Sequence, residues 1–88
     1  MDDSKGLRGN LHAVEYLLGQ LFVRALDGVD DPQSWLKENA EEAKRKIYRE
    51  NSLPPVEKDS GYGTVRRVME TASIHFEAAG KGPMIDLR

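Results

Sequence analysis

The chain contains no cysteine among its 88 residues. This absence excludes a disulfide framework and any metal site built from thiolate ligands. It also suits a reducing compartment, so we expect a cytoplasmic protein. No nucleophile stands at a recognisable turn and no complete cofactor-binding motif is present, so we expect neither an enzyme nor a bound cofactor.

A large excess of charge of either sign is also lacking. Thirteen Lys and Arg residues face 15 Asp and Glu residues, and the formal net charge is −2. Such a chain has little long-range attraction for nucleic acid or anionic lipid. Its most apolar segment, 11–26, is interrupted by His12, Glu15, Gln20 and Arg24. The segment is too short and too charged to span a bilayer, so we expect no membrane partner.

Three segments carry the apolar spacing of an α-helix, and none shows the alternation typical of a strand. They cover about residues 11–27, 32–50 and 62–79. The connection between the first two is about four residues long, which predicts that they pack as an antiparallel hairpin. The expected fold is all-α, a small three-helix bundle made of this antiparallel helical hairpin plus a third helix. Dimerisation would complete a larger bundle.

Local signals mark the predicted helix ends. Asn10 is a candidate N-cap for the first helix, and Gly28 and Gly80 can end the first and third helices in the left-handed conformation. Asp31 before Pro32 predicts an N-cap followed by proline at the first helical position. The segment 51–60 contains two adjacent prolines, which predicts an extended connection before the third helix. Glycines 61 and 63 would then open that helix and could offer amides to an anion, although simple helix punctuation is the favoured interpretation.

One domain, 10–80, is expected between two tails. Residues 1–9 are polar and contain two glycines, which predicts a flexible N-terminal tail. Residues 81–88 form a C-terminal tail that is more apolar than a solvated tail usually is. Its large apolar residues are Met84, Ile85 and Leu87. This tail either folds back over the bundle or docks on a partner.

The segment Leu11–Leu26 is the element around which the chain is organised. Its apolar residues are Leu11, Val14, Leu17, Leu18, Leu21, Phe22, Ala25 and Leu26. They cover roughly 180° of a helical wheel, whereas a helix with one neighbour needs an apolar stripe of about 100°. This helix therefore needs two neighbours. We expect helix two on the side of Gly19 and helix three over much of the remaining arc; the alternative is that part of the surface belongs to another chain.

Residues that this packing leaves unexplained are candidates for partner binding. Glu15 is the only charge in the apolar sector, Tyr16 and Val23 lie on the back of the first helix, and Ile74 is a stray apolar residue on the third. The tail residues Met84, Ile85 and Leu87 complete the candidate set. The leading hypothesis is a small non-enzymatic helical interaction module that mediates protein–protein contact or self-association, as a homodimer or larger homo-oligomer.

Nucleic-acid binding is the alternative, through the basic face of helix two. Arg45, Lys46 and Arg49 share one side of that helix, but Glu38 and Glu42 are interleaved with them. Glutamates that precede basic residues by one turn favour a solvated, salt-bridged surface instead.

Metal binding is a third hypothesis. His12 and Glu15 are three residues apart on one helix, and His75 could approach them from helix three. The competing interpretation is a Glu15 carboxylate paired with a basic residue or with water, because an unpaired buried charge is costly.

Overall fold

The computed structural model describes residues 3–87, which form three α-helices and no strand. The helices are α1 (Asp3–Ala25), α2 (Pro32–Arg49) and α3 (Pro55–Ala78). The predicted all-α three-helix bundle is confirmed. No helix in the described part of the chain combines the length and the apolar character needed to cross a membrane.

α2 packs antiparallel along one side of α3. Near the start of α2, Gln33 hydrogen-bonds to Ser73. Near its end, the Cγ2 atom of Ile47 lies 3.7 Å from where a Cβ on Gly61 would be. This is ordinary van der Waals contact, so the two helices lie against each other at this end of the pair as well.

α1 packs parallel along α3. Glu15 pairs with Arg67, and a Cβ built on Gly19 would lie 3.2 Å from Cγ2 of Thr71. No Cα of α1 comes within 8 Å of a Cα of α2 among the described residues. The expected hairpin thus has the predicted antiparallel direction, but its helices do not pack along each other. Both α1 and α2 pack against α3. Gly19 contacts α3, whereas the sequence predicted that it would contact α2.

The arrangement is a thin layer with extents of 43 × 31 × 19 Å. Near one end of the layer the rings of Phe22 on α1 and Trp35 on α2 lie 5.6 Å apart between centroids. Among the described residues, α1 is consequently an edge helix that packs along its length against α3 alone.

The predicted start of α2 and the predicted left-handed glycines after α1 and α3 are confirmed. Asp31 caps α2 by accepting hydrogen bonds from the N–H and the hydroxyl of Ser34, at 3.1 and 2.7 Å, and Pro32 is the first helical residue. The bonds from Ser34 hold the pKa of Asp31 below its ordinary value of 3.8. Gly28 and Gly80 have φ of 83° and 75°, a region that a side chain would strain.

Two other helix starts differ from the prediction. α1 begins at Asp3, so residues 3–9, assigned to the N-terminal tail from sequence, are helical and Asn10 is not a cap. Residues 1, 2 and 88 lie outside the described residues. α3 begins at Pro55, because proline is as well suited to a first helical position there as it is in α2. The glycines at 61 and 63 are therefore interior, and the anion hypothesis loses its helix N-terminus.

The core lies where the C-terminal ends of α1 and α3 meet the start of α2. Its buried residues are Leu26, Leu36, Ala40, Met69, Ala72, Phe76 and Leu87. Leu87 is only 4% exposed, and Ile85 packs against the same cluster. The C-terminal tail therefore folds back over the bundle, the first of its two predicted alternatives.

A buried polar cluster joins α2, α3 and this tail. The Ser73 hydroxyl donates to Gln33 Oε1 at 2.6 Å, and Gln33 Nε2 donates to the Ser73 carbonyl at 2.9 Å. The N–H of Ile85 donates to Ser73 Oγ at 2.9 Å. No buried side-chain nitrogen or oxygen of the described residues lacks a partner, so these groups are buried without the penalty of an unmade bond.

Candidate interaction surface on the first helix

Most of the apolar arc of α1 that sequence assigned to the core faces solvent. Leu17 is 59% exposed and Leu21 is 61% exposed. Six large apolar side chains share this exposure: Leu7, Leu11, Val14, Leu17, Leu18 and Leu21. We call this set the open face. None of its members is charged or polar.

The expected packing of α1 was wrong in its orientation. Gly19 and Leu26 are buried on the side that faces α3, and Phe22 is half-buried there. On a helical wheel the centre of this side lies about 105° from the centre of the open face. α3 therefore covers one part of a wide apolar arc, and no second helix of the described chain covers the rest.

Glu15 lies on the covered side and is held by Arg67 of α3. The Arg67 Nε donates to both carboxylate oxygens, at 3.1 and 3.2 Å, and its Nη2 donates to Oε1 at 3.1 Å. The side chain of Glu15 is 11% exposed and that of Arg67 is 59% exposed. Arg67 was missed by sequence reasoning. The lone charge in the apolar sector was the available signal, since it required a basic partner.

Tyr16 and Ile74 are brought together across the junction of α1 and α3. They line a cavity of about 370 Å³ together with Arg67 and Thr71. Both are largely solvent-exposed, at 59% and 54%. Tyr16 lies about 165° around α1 from the centre of the open face, so these two candidates form a small apolar patch separate from that face.

The remaining partner-binding candidates are mostly inside the protein. Val23 is half-buried and packs against the core, as Ile85 does, and Leu87 belongs to the core. Their side chains are not available to a partner in this structure. Met84 is 39% exposed, and its N–H donates to the Glu77 carboxylate at 3.3 Å.

The three proposed metal ligands do not converge. Glu15 is engaged by Arg67, and the ring of His75 packs edge-on against that of Phe76, with centroids 5.5 Å apart. No group of three acidic, histidine or cysteine side chains among the described residues is placed to hold a metal ion. His12 instead lines the same cavity as Tyr16.

The basic residues of α2 lie on a mixed surface. Arg45, Lys46 and Arg49 are all exposed, and Lys46 forms the expected ion pair with Glu42, at 3.2 Å. A cavity of about 420 Å³ beside Arg45 is lined by both charge signs, with Glu41 among the lining residues. Interleaved carboxylates weaken the attraction of such a surface for phosphates.

Comparisons with protein-family models, with curated proteins and with solved structures find no match. The function is therefore inferred from geometry and chemistry.

Proposed function

We propose that the protein is a small non-enzymatic interaction module of the cytoplasm, and that the open face of α1 is its binding surface. The observation that carries this proposal is the set of six large apolar side chains, each 39–61% exposed, on one side of one helix. Together they present on the order of 500 Å² of apolar area, which is at the size where exposed patches on monomers are often functional.

The shape of the face supports a protein ligand. It is a straight stripe along a helix, and apolar stripes of this kind are recognised by the apolar side of another helix. The helix length also suits this purpose, because α1 has 23 residues and the stripe follows it for about four turns.

Nucleic-acid binding through Arg45, Lys46 and Arg49 is the weaker alternative. Glu42 already neutralises Lys46, and the net charge of the chain is −2. Retardation of DNA or RNA that weakens steeply with salt and is lost on replacing Arg45 and Arg49 with Glu would favour it.

The proposal is tested by comparing three tagged forms of the protein in an extract of its native cells. The first is the wild type, the second carries Leu17→Glu and Leu21→Glu on the open face, and the third carries Val56→Glu. Val56 is 78% exposed on the first turn of α3, so this variant adds a charge at an equally accessible apolar position elsewhere.

Proteins captured by the wild type, including untagged copies of this chain, should be lost with the open-face variant and kept with the Val56 variant. Capture that survives both open-face substitutions would contradict the proposal. Circular dichroism of each purified form is the check that it remains helical.

A further inference from the structure

The apolar residues of the open face follow a heptad spacing. Leu7, Leu11, Val14, Leu18 and Leu21 are separated by four, three, four and three residues. Ala25, also exposed, continues the series. Alternation of three and four places a continuous seam along one side of a helix, which is the pattern of two helices packed knobs-into-holes.

We propose that the partner of the open face is a second copy of this chain, docked through antiparallel pairing of the two α1 helices about a twofold axis. This inference rests on the proposed function and names the occupant of the same surface. A twofold interface needs a self-complementary patch, and an uncharged heptad seam can be its own complement. Two such faces bring on the order of 1,000 Å² together, which is the lower size limit of a specific interface with good complementarity.

The side chains along the seam favour the antiparallel orientation. In that arrangement Leu11 lies opposite Leu21 of the second copy, and Leu7 lies opposite the small Ala25. A parallel pair would instead set Ala25 against Ala25, which leaves a gap at that end of the seam. Opposed helix dipoles also favour antiparallel neighbours.

Leu17, which flanks the seam, gives a second reason. In the antiparallel pair it lies beside the axis, next to Leu17 of the second copy, so that two exposed leucines cover each other. In a parallel pair its counterpart would be Phe22, which is already half-buried and packed against Trp35.

The charges that flank the seam are compatible with this pairing. Arg24 lies beside the uncharged Asn10 of the second copy, so no two arginines meet. Glu15 lies near Glu15 of the second copy, but each of the two carboxylates is already bound by Arg67 of the same chain, at 3.1 Å. The ion pair within each chain thereby offsets the repulsion between the two Glu15 carboxylates.

The test uses purified full-length protein and light scattering over a dilution series. The variants are Leu17→Glu and Leu17→Lys, measured alone and as an equimolar mixture, with Val56→Glu as the matched control. Leu17 is largely exposed, so these substitutions should leave the fold of the single chain intact, and circular dichroism is the check for each sample.

The wild type and Val56→Glu should have twice the mass of one chain at high concentration and dissociate on dilution. Each Leu17 variant alone sets like charges against each other across the axis, which should raise the dissociation constant at least about tenfold. The mixture should recover a dimer, because it sets Glu against Lys.

A wild type that is monomeric at every concentration would overturn self-pairing. If an open-face-dependent partner were still captured from extract, the proposed function would stand with a different occupant; if none were captured, both would fail. A wild-type dimer that the mixture of Leu17 variants does not restore would overturn the antiparallel orientation.

Discussion

Arg67 of α3 and Glu15 of α1 are 52 residues apart in sequence and form an ion pair with an N–O distance of 3.1 Å. The pair fixes which side of α1 turns toward α3. Together with the close approach of Gly19 to Thr71, it leaves the open face on the outside.

Removing the guanidinium should loosen this junction. Arg67→Ala leaves the nearly buried Glu15 carboxylate without its three hydrogen bonds. We expect a loss of about 1–2 kcal/mol in the free energy of unfolding, reduced from the cost of a fully buried pair because Arg67 is largely exposed. Urea unfolding followed by circular dichroism measures it.

The neighbouring arginine provides the matched control. Arg66 pairs with Glu70 on its own helix, at 3.5 Å, and such a pair contributes only about 0.2–0.5 kcal/mol. If Arg66→Ala lowered the free energy of unfolding as much as Arg67→Ala does, the ion pair between the helices would contribute no more to stability than the pair within α3.

Replacing Ser73 with alanine should destabilise the protein more than replacing an exposed serine does. Ser73→Ala removes the donor to Gln33 Oε1 and the acceptor of the Ile85 N–H, both inside the protein. We expect a destabilisation of about 1–3 kcal/mol, since buried groups left without partners keep their full desolvation cost. Ser60→Ala, at an exposed position, should stay within about 0.5 kcal/mol of the wild type. Equal urea midpoints for the two variants would refute the role of the buried cluster.

The C-terminal tail should contribute to stability through Leu87. Leu87 is 4% exposed, and truncating a buried leucine to alanine costs about 2–5 kcal/mol. Met84→Ala, in the same tail but 39% exposed, should cost less than about 1 kcal/mol. Thermal or urea unfolding of both variants measures the two losses in stability. A Leu87 variant no less stable than the Met84 variant would contradict a place for the tail in the core.

The cap of α2 should make stability depend on pH in the acid range. The hydrogen bonds from Ser34 lower the pKa of Asp31 in the folded protein from its ordinary value of 3.8. Its contribution is therefore fully present above pH 3.8 and is lost as pH falls through the lowered pKa. The urea midpoint of Asp31→Ala should lie below that of the wild type at neutral pH, and the gap should narrow below pH 3.8. Asp31→Asn keeps an acceptor at the cap and should remain close to the wild type at neutral pH. A gap that stays constant throughout the acid range would contradict this account.

Helix ends that depend on local chemistry could be predicted from sequence. Asp31 with Pro32, and the left-handed Gly28 and Gly80, act within a few residues of the end that they define. The start of α1 escaped prediction because isolated glycines weaken a helix by only about 1 kcal/mol each and do not end it. The start of α3 escaped because Pro55 was interpreted as a break, although proline equally favours the first turn of a helix.

The identity of neighbours could not be predicted from the helical wheel. The wheel correctly indicated that α1 has an apolar arc too wide for one neighbour. It did not show that α3 would take the side of Gly19 and Glu15, because that choice depends on Thr71 and Arg67, about 50 residues away in sequence. As a result the candidate site included Val23, which is half-buried against the core, and omitted the leucines of the open face. Leu87 was included for a different reason, the apolar character of the C-terminal tail.

The open face should be uncovered in a single chain and become covered when chains associate. Because the chain has no cysteine, a Leu17→Cys substitution gives a unique thiol on this face, and a separate Val56→Cys variant gives a control thiol elsewhere. The measurement is the rate of thiol labelling of each variant over a dilution series. In dilute solution the open-face thiol should react as fast as the control thiol. As concentration rises, the open-face thiol should become protected while the control thiol stays reactive. An open-face thiol that is protected equally at every dilution would show that its own chain covers the face, and one that is never protected would show that no second copy does; either result would contradict the account.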